Sequence, residues 1–338
     1  MQGEKQYKTG LDVGSTTAKI VIIDESGQTV FSRYERHNAQ VNDLLSAYFR
    51  EARQELGDIE TSIAVTGSVG MGTAEQLRTE FIQEVVAATR YAQQLYPSAS
   101  ALIDIGGEDA KVVLFQGNHI DLRMNGNCAG GTGAFIDQMA VLLGVDIEEL
   151  SRLALQAEHI HPIAARCGVF SKTDIQNLVS RNVPLGDIAA SIFHAVAVQT
   201  IVTLSRGWTF HPPILLCGGP LTFIPALRKA FADYLHLQES DFILPAGGNL
   251  LPALGCALCA TEEKAVALST LENLISRSTD ITTKNSLPPL FDSETDYDNW
   301  KKEKAHYNWP SAPLVQRIQE AVLGIDSGST TTKIVVTT

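Results

Sequence analysis

Acidic, glycine and hydroxyl residues are gathered at points of this sequence where an apolar strand breaks into a tight turn. In Asp12-Val13-Gly14-Ser15-Thr16-Thr17 the strand ends on an acid, a glycine and three hydroxyls. Successive backbone amides in such a turn make a concave anion site, and glycine lets a ligand approach the chain closely. Asp12 at the strand end can hold Mg²⁺ through water, because Mg²⁺ takes few carboxylates and keeps several waters. Gly14, Ser15, Thr16 and Thr17, with Lys19 just beyond, are the candidate phosphate-binding residues. Asp104-Ile105-Gly106-Gly107-Glu108-Asp109 offers the same chemistry again, with Asp104 and Glu108 as candidate catalytic acids beside Asp12, and Gly106 and Gly107 as binding residues. A plain hairpin with Ser and Thr would explain the first turn alone, but explains two facing acid–glycine turns less well. Gly218-Gly219 suits the floor under an adenine ring, although Gly-Gly turns are common.

The elements that must position these residues follow from hydropathy. Strands are predicted over 8–13, 18–24, 29–34 and 62–66, with an amphipathic helix over 41–56 whose apolar residues recur at helical spacing. A helix over 82–95 ends the first half. The pattern then restarts with strands over 101–105, 111–115 and 120–124, helices over 133–143, 147–157, 173–180 and 185–206, a strand over 214–216 and an apolar helix over 254–267. Each half therefore opens on a hairpin carrying an acid and glycines at its bend. This is a duplicated α/β layout with a cleft between two lobes.

Composition narrows the class. The 338 residues are 44% hydrophobic, enough for two packed lobes, and the net charge of −12 argues against nucleic-acid or anionic-membrane binding. No leader pattern and no stretch of about 18 apolar residues is evident, so a cytoplasmic protein is expected. Five cysteines, Cys128, Cys167, Cys217, Cys256 and Cys259, do not look like a disulfide framework.

The tail differs. Residues 276–321 are polar and broken by prolines and read as a linker. Ile325 to Val336 then repeats Leu11 to Ile22 almost residue for residue, 314 positions on (326 − 12 = 314). Residues 322–338 are accordingly expected to be the truncated start of a second ATPase repeat, with a two-strand extension as the alternative. The first repeat would comprise lobe I over 7–96, completed by a C-terminal helix over 251–275, and lobe II over 97–250.

In this order, the Asp12, Asp104 and Gly218 segments resemble the phosphate-1, phosphate-2 and adenosine motifs of the acetate and sugar kinase, Hsp70 and actin superfamily. The resemblance covers about residues 7–268 and implies a two-lobed actin-like ATPase fold of ribonuclease-H-like lobes closing over ATP and Mg²⁺. Asn127-Cys128-Ala129-Gly130-Gly131-Thr132-Gly133-Ala134-Phe135 and Arg166-Cys167-Gly168-Val169-Phe170-Ser171-Lys172 further resemble the two cysteine motifs of the 2-hydroxyacyl-CoA dehydratase activators, the BadF/BadG/BcrA/BcrD-type ATPases. In that family two cysteines from each protomer of a homodimer hold one [4Fe–4S] cluster. The resemblance thus implies Cys128 and Cys167 as iron ligands, ATP hydrolysis, and an electron handed to a dehydratase or benzoyl-CoA reductase type partner.

Elementary chemistry agrees, since four thiolates are the usual ligand set and both cysteines precede expected helices, whose N-termini favour an anionic cluster. Cys217, Cys256 and Cys259 read as core, and His159 and His161 as a surface loop. There are departures: Glu108 stands where the compact activators carry Gln, and Ala88 where they carry His, four residues after a matching Glu84. A small-molecule kinase of the same superfold would explain the nucleotide turns but not the cysteine segments. A non-catalytic actin-like module would show slow turnover and polymerisation.

Overall fold

A computed structural model describes residues 6–117, 119–125, 130–164, 167–261, 265–277, 288–307, 320–327 and 331–337. The chain divides into two units, Met1–Arg277 and Ser278–Thr338, each described by itself.

In the first unit β1 (Tyr7–Val13) and β2 (Thr17–Ile23) form an antiparallel hairpin with Asp12 opposite Lys19, and β3 (Thr29–Arg36) pairs outside β2. α1 (Val41–Leu56) buries Leu45, Tyr48, Phe49 and Ala52 in one core with the hairpin, as an amphipathic stripe requires. β4 (Glu60–Thr66) returns parallel to β1 with Thr66 beside Asp12. α2 (Gly70–Leu77) and β5 (Glu80–Phe81) follow, then α3 (Glu84–Leu95).

A second sheet repeats the plan. β6 (Ala101–Ile105) and β7 (Ala110–Gln116) form a hairpin with Asp104 opposite Lys111, and β8 (His119–Asn125) pairs outside β7. Four helices intervene: α4 (Gly133–Leu143), α5 (Ile147–Ala154), α6 (Gly168–Ser180) and α7 (Leu185–Ser205). β9 (Ile214–Cys217) then returns parallel to β6 with Cys217 beside Asp104. After α8 (Gly219–Phe223), α9 (Pro225–Leu235) and β10 (Phe242–Ile243), the second sheet has the order β10-β9-β6-β7-β8. α10 (Leu251–Cys259), β11 (Ala265–Ala267) and α11 (Leu268–Ser276) bring the chain back to the first sheet, ordered β11-β4-β1-β2-β3 with β5 also against β4.

α3 and α10 join the lobes. Ala88, Tyr91 and Ala92 of α3 pack on Leu102, Val113 and Leu215 of the second sheet, whereas Ala253 and Ala257 of α10 pack on Val21 and Ile23 of the first. Small residues let these layers close: a Cβ on Gly10 would fall 1.9 Å from the Ala253 carbonyl oxygen. α3, within the 7–96 segment expected as lobe I, thus contributes its apolar face to the second sheet.

Several expectations are corrected. The helix expected over 254–267 ends at Cys259, and β11 and α11 follow the break. α6 starts at Gly168 instead of Thr173, which makes Cys167 its N-cap. α2 was hidden by Gly67, Gly70 and Gly72, and α9 by Pro225, which at a first helical position is compatible with a helix. α7 does reach the length and hydropathy of a membrane span, yet 67% of that apolar window is buried, as befits a helix apolar all round in a lobe core.

In the second unit, the segment expected to be a polar linker contains α12 (Glu294–Ala305). Ser293 Oγ accepts from the Asp296 amide at 3.2 Å, and acids in its first turn with lysines in its last suit the helix dipole. β12 (Val322–Ser327) and β13 (Thr332–Thr337) pair with Asp326 opposite Lys333, the register of β1 and β2.

Candidate functional site

Each hairpin delivers an aspartate and a lysine to one end of its sheet. Asp12 is 1% exposed, and Lys19 Nζ donates to its Oδ2 at 2.7 Å. Burial pulls the Lys19 ammonium toward neutrality, but pairing with Asp12 outweighs it and holds the lysine pKa above its ordinary value. Behind each aspartate stands a glycine from the parallel neighbour. A Cβ on Gly67, at φ +100°, would lie 2.6 Å from Asp12 Oδ1, and one on Gly218, at φ +86°, 2.5 Å from Asp104 Oδ1. Only glycine fits either place.

The first turn closes where the Gly14 amide donates to the Thr17 carbonyl at 3.0 Å. His37 buttresses it. Its Nδ1 accepts from the Ala39 amide at 3.1 Å, which in the neutral ring leaves the proton on Nε2 to donate to the Gly14 carbonyl at 3.1 Å. The second turn closes from the Gly106 amide to the Asp109 carbonyl at 2.8 Å. The turns touch: a Cβ on Gly107 would lie 2.5 Å from Thr16 Oγ1. The second turn is also bolted to α4, whose Gly133 and Ala134 amides donate to the Gly106 and Gly107 carbonyls at 2.9 and 2.7 Å.

Between the lobes opens a cleft of about 850 Å³ counted out to its mouth, within the range of nucleotide-sized sites. Thr16, Thr17, Lys19, Asp104, Gly106 and Gly107 line one end, and Gly218, Gly219, Tyr34 and Phe223 also line it. Asp12, Gly14 and Ser15 do not reach the wall, Asp12 standing behind Lys19. Two contacts span the lobes beside it: the Tyr34 and Phe223 rings lie 5.9 Å apart, and Arg36 Nη2 donates to Asp137 Oδ2 at 2.9 Å.

Glu108 departs from expectation. It is exposed in the Gly106–Asp109 turn and is not among the residues that line the cleft. The glutamate that lines it is Glu84, first residue of α3. Burial pushes the Glu84 carboxyl up to about 7 against the pull of Lys111, with Asp12, Asp109 and Asp104 adding to the rise. Burial likewise raises Asp104, again opposed by Lys111. Lys111, 1% exposed, donates to Glu84 Oε1 at 2.6 Å and to Asp109 Oδ1 at 3.0 Å.

The profile of the BadF/BadG/BcrA/BcrD ATPase family matches residues 9–260. The chain belongs to that family. The 2-hydroxyisocaproyl-CoA dehydratase activator of Clostridioides difficile is 28% identical over 273 residues, spanning 79% of this chain and 100% of that protein. The (R)-2-hydroxyglutaryl-CoA dehydratase activating ATPase of Acidaminococcus fermentans is 28% identical over 263 residues, spanning 77% and 98%. The structure of the Clostridium difficile 2-hydroxyisocaproyl-CoA dehydratase activator with bound ADPNP aligns with a TM-score of 0.64 at 26% identity, covering 82% of this chain and 99% of that one. The two lobes are thus those of an actin-like ATPase.

In this BadF/BadG/BcrA/BcrD-type ATPase, Cys167 caps α6 half-exposed, and the Phe170 and Val169 amides hydrogen-bond its sulfur and hold the thiol below its ordinary pKa. Cys128 lies outside the described residues. Burial raises the Cys217 and Cys256 thiols, as packing residues should behave. The backbone of Glu158 and His159 is held by Asp187 Oδ1, and no group of three or more metal-binding side chains occurs among the described residues. In reduced protein, iodoacetamide should therefore alkylate Cys167 with a pH midpoint below that of free cysteine while Cys217 and Cys256 stay unmodified. Mass-spectrometric mapping that found all three labelled alike would contradict this.

Lys111 was missed by sequence reasoning, although a signal was present. Lys19 follows Asp12 by seven residues, Lys111 follows Asp104 by seven, and Lys333 follows Asp326 by seven. Across a two-stranded hairpin that spacing makes them opposite partners.

Proposed function

We propose that this ATPase is a reductive activator, which hydrolyses ATP and delivers a low-potential electron to a dehydratase or benzoyl-CoA reductase type partner. It acts in the cytoplasm as a homodimer, with Cys128 and Cys167 of two chains holding one [4Fe–4S] cluster. The observation that carries this reading is the pair of hydrogen bonds from the Gly133 and Ala134 amides to the Gly106 and Gly107 carbonyls. They tie the phosphate-2 turn to a helix that begins five residues after Cys128 (133 − 128 = 5). A phosphate that shifts the turn shifts the helix.

The residues fit the groups they would hold. Thr16, Thr17, Gly106 and Gly107 line the cleft with hydroxyls and backbone amides for phosphate oxygens, and Gly218 and Gly219 would underlie adenine. Asp104, at the cleft wall, would organise Mg²⁺ through water, with Asp12 behind Lys19 adding negative charge, and the carboxylates of Asp12, Asp104, Asp109 and Glu84 outnumber Lys19 and Lys111. Glu84 is placed to orient the attacking water. Cys167, amide-stabilised and half-exposed, fits a thiolate ligand. When bound, the cluster supplies a one-electron donor. Differential affinity of the open and closed cleft for ATP and ADP provides the coupling energy. The matching Asp326–Lys333 hairpin would open a second ATPase copy.

Anaerobic purification tests the proposal. The dimer should carry about four iron and four sulfide, the content of one cubane cluster. Cys167→Ser should lose the iron and keep ADP binding. Colourless, iron-free wild-type protein, or a serine variant that keeps its iron, would overturn it.

A further inference from the structure

Three hairpins of this chain set a lysine opposite an aspartate, and one of them breaks the pattern. Lys19 bonds its own cross-strand Asp12 at 2.7 Å, and Lys333 bonds Asp326 at 3.1 Å. Lys111 instead stands 3.9 Å from Asp104 and reaches Glu84 at 2.6 Å, on a different element. Its remaining partner is Asp109, at 3.0 Å.

We propose that Lys111 is a positioning residue for ATP hydrolysis, fixing the Glu84 carboxylate against the phosphate-2 turn so that it can orient the attacking water. Burying an ammonium group is expensive, and apolar side chains of similar volume often stabilise a core better than an ion pair does. Lys111 therefore does more here than fill space. One of its hydrogen bonds goes to the first residue of α3 and the other to Asp109, whose carbonyl closes the turn on Gly106. The single ammonium thus sets the distance between the carboxylate and the phosphate-binding turn. Its departure from Asp104 also leaves that buried carboxylate, at the cleft wall, without a lysine hydrogen bond, whereas Asp12 is held by Lys19. The inference rests on the reading of Glu84 as the water-orienting group, and the test separates the two.

The test is a double-mutant cycle on single-turnover ATP hydrolysis, using Lys111→Met, Glu84→Gln and the pair, with Mg·ADP affinity measured for each. Lys111→Met should slow hydrolysis at least about 10-fold with ADP affinity kept within about 3-fold, and should add less than about 3-fold in the Glu84→Gln background. Lys111→Arg should recover part of the rate. If Glu84→Gln alone does not slow hydrolysis, the reading of Glu84 fails and this proposal with it. If Glu84→Gln slows it but Lys111→Met costs the same in both backgrounds, Lys111 acts independently and only this proposal falls. Should the methionine variant not bind ADP, Lys111→Gln takes its place in the cycle. Loss of ADP binding in both variants would make Lys111 a structural cation and overturn the proposal.

Discussion

Gly255→Ala is expected to destabilise the nucleotide-binding unit by about 3 kcal/mol, the upper part of the range for overpacking. A Cβ at Gly255 would stand 1.9 Å from the carbonyl oxygen of Ala87 and 2.4 Å from its carbonyl carbon. Both obstacles are backbone of α3, so no side chain can swing aside and the two helices must separate. The pair joins the lobes, with α3 against the second sheet and α10 against the first. Separating them loosens Ala64, Ala87, Cys256 and Ala260 together. Gly72→Ala is the matched control, because it is helical and its Cβ would meet nothing within 4 Å. There the gain in helix propensity should slightly stabilise the protein, by up to about 1 kcal/mol. Urea midpoints compare the two, and equal midpoints would refute the account.

Gly255 illustrates what could be read in the sequence and what could not. The string Gly255-Cys256-Ala257-Leu258-Cys259-Ala260 announces a helix built for close approach, and that much is legible. Its neighbour is not, because the contact with Ala87 joins positions 168 apart (255 − 87 = 168). The hairpins were legible for the opposite reason. Alternation, glycine and an acid within a dozen residues dictate a strand–turn–strand, so Thr16, Thr17, Gly106 and Gly107 could be placed at hairpin turns from local chemistry alone, and all four line the cleft. Glu108 misled by the same logic. It sits in the right turn, but which residues of a turn face the cleft depends on the Gly106–Asp109 hydrogen bond, and that is a matter of backbone geometry. Glu84 and Lys111 meet only because α3 starts beside the second hairpin, a tertiary fact with no local trace beyond the seven-residue spacing of Asp104 and Lys111.

α6 carries the same lesson at the cysteines. Gly168 and Val169 are poor helix formers, so propensity placed the helix start at Thr173. In the fold the helix begins five residues earlier (173 − 168 = 5), and the Ser171 amide donates to the Cys167 carbonyl at 2.9 Å. That extra turn brings the Val169 and Phe170 amides to the Cys167 sulfur. A helix boundary, the least legible feature of any sequence, here decides whether a thiol has helix-terminal donors at all.

Glu84→Gln is expected to lower ATP turnover about 100-fold or more while leaving Mg·ADP affinity within about 3-fold, the signature of an interaction made chiefly in the transition state. Glutamine keeps the size and one acceptor of the side chain but cannot carry the charge that attracts a proton from the attacking water. The pH dependence separates this from simple damage. Glu84 is raised from 4.5 to about 7 by burial, with Lys111 opposing and the neighbouring carboxylates assisting. A group that acts when ionised gains activity as pH climbs through its pKa, so wild-type turnover should rise with pH and pass its half-maximum near 7. The glutamine variant should lose that acid limb and turn over slowly at all pH values. Glu108→Gln, in the exposed part of the second turn, should keep both the limb and turnover to within about 3-fold, as substitutions away from a working group do. A Glu108→Gln variant that lost the limb while Glu84→Gln kept it would return the catalytic role to the turn.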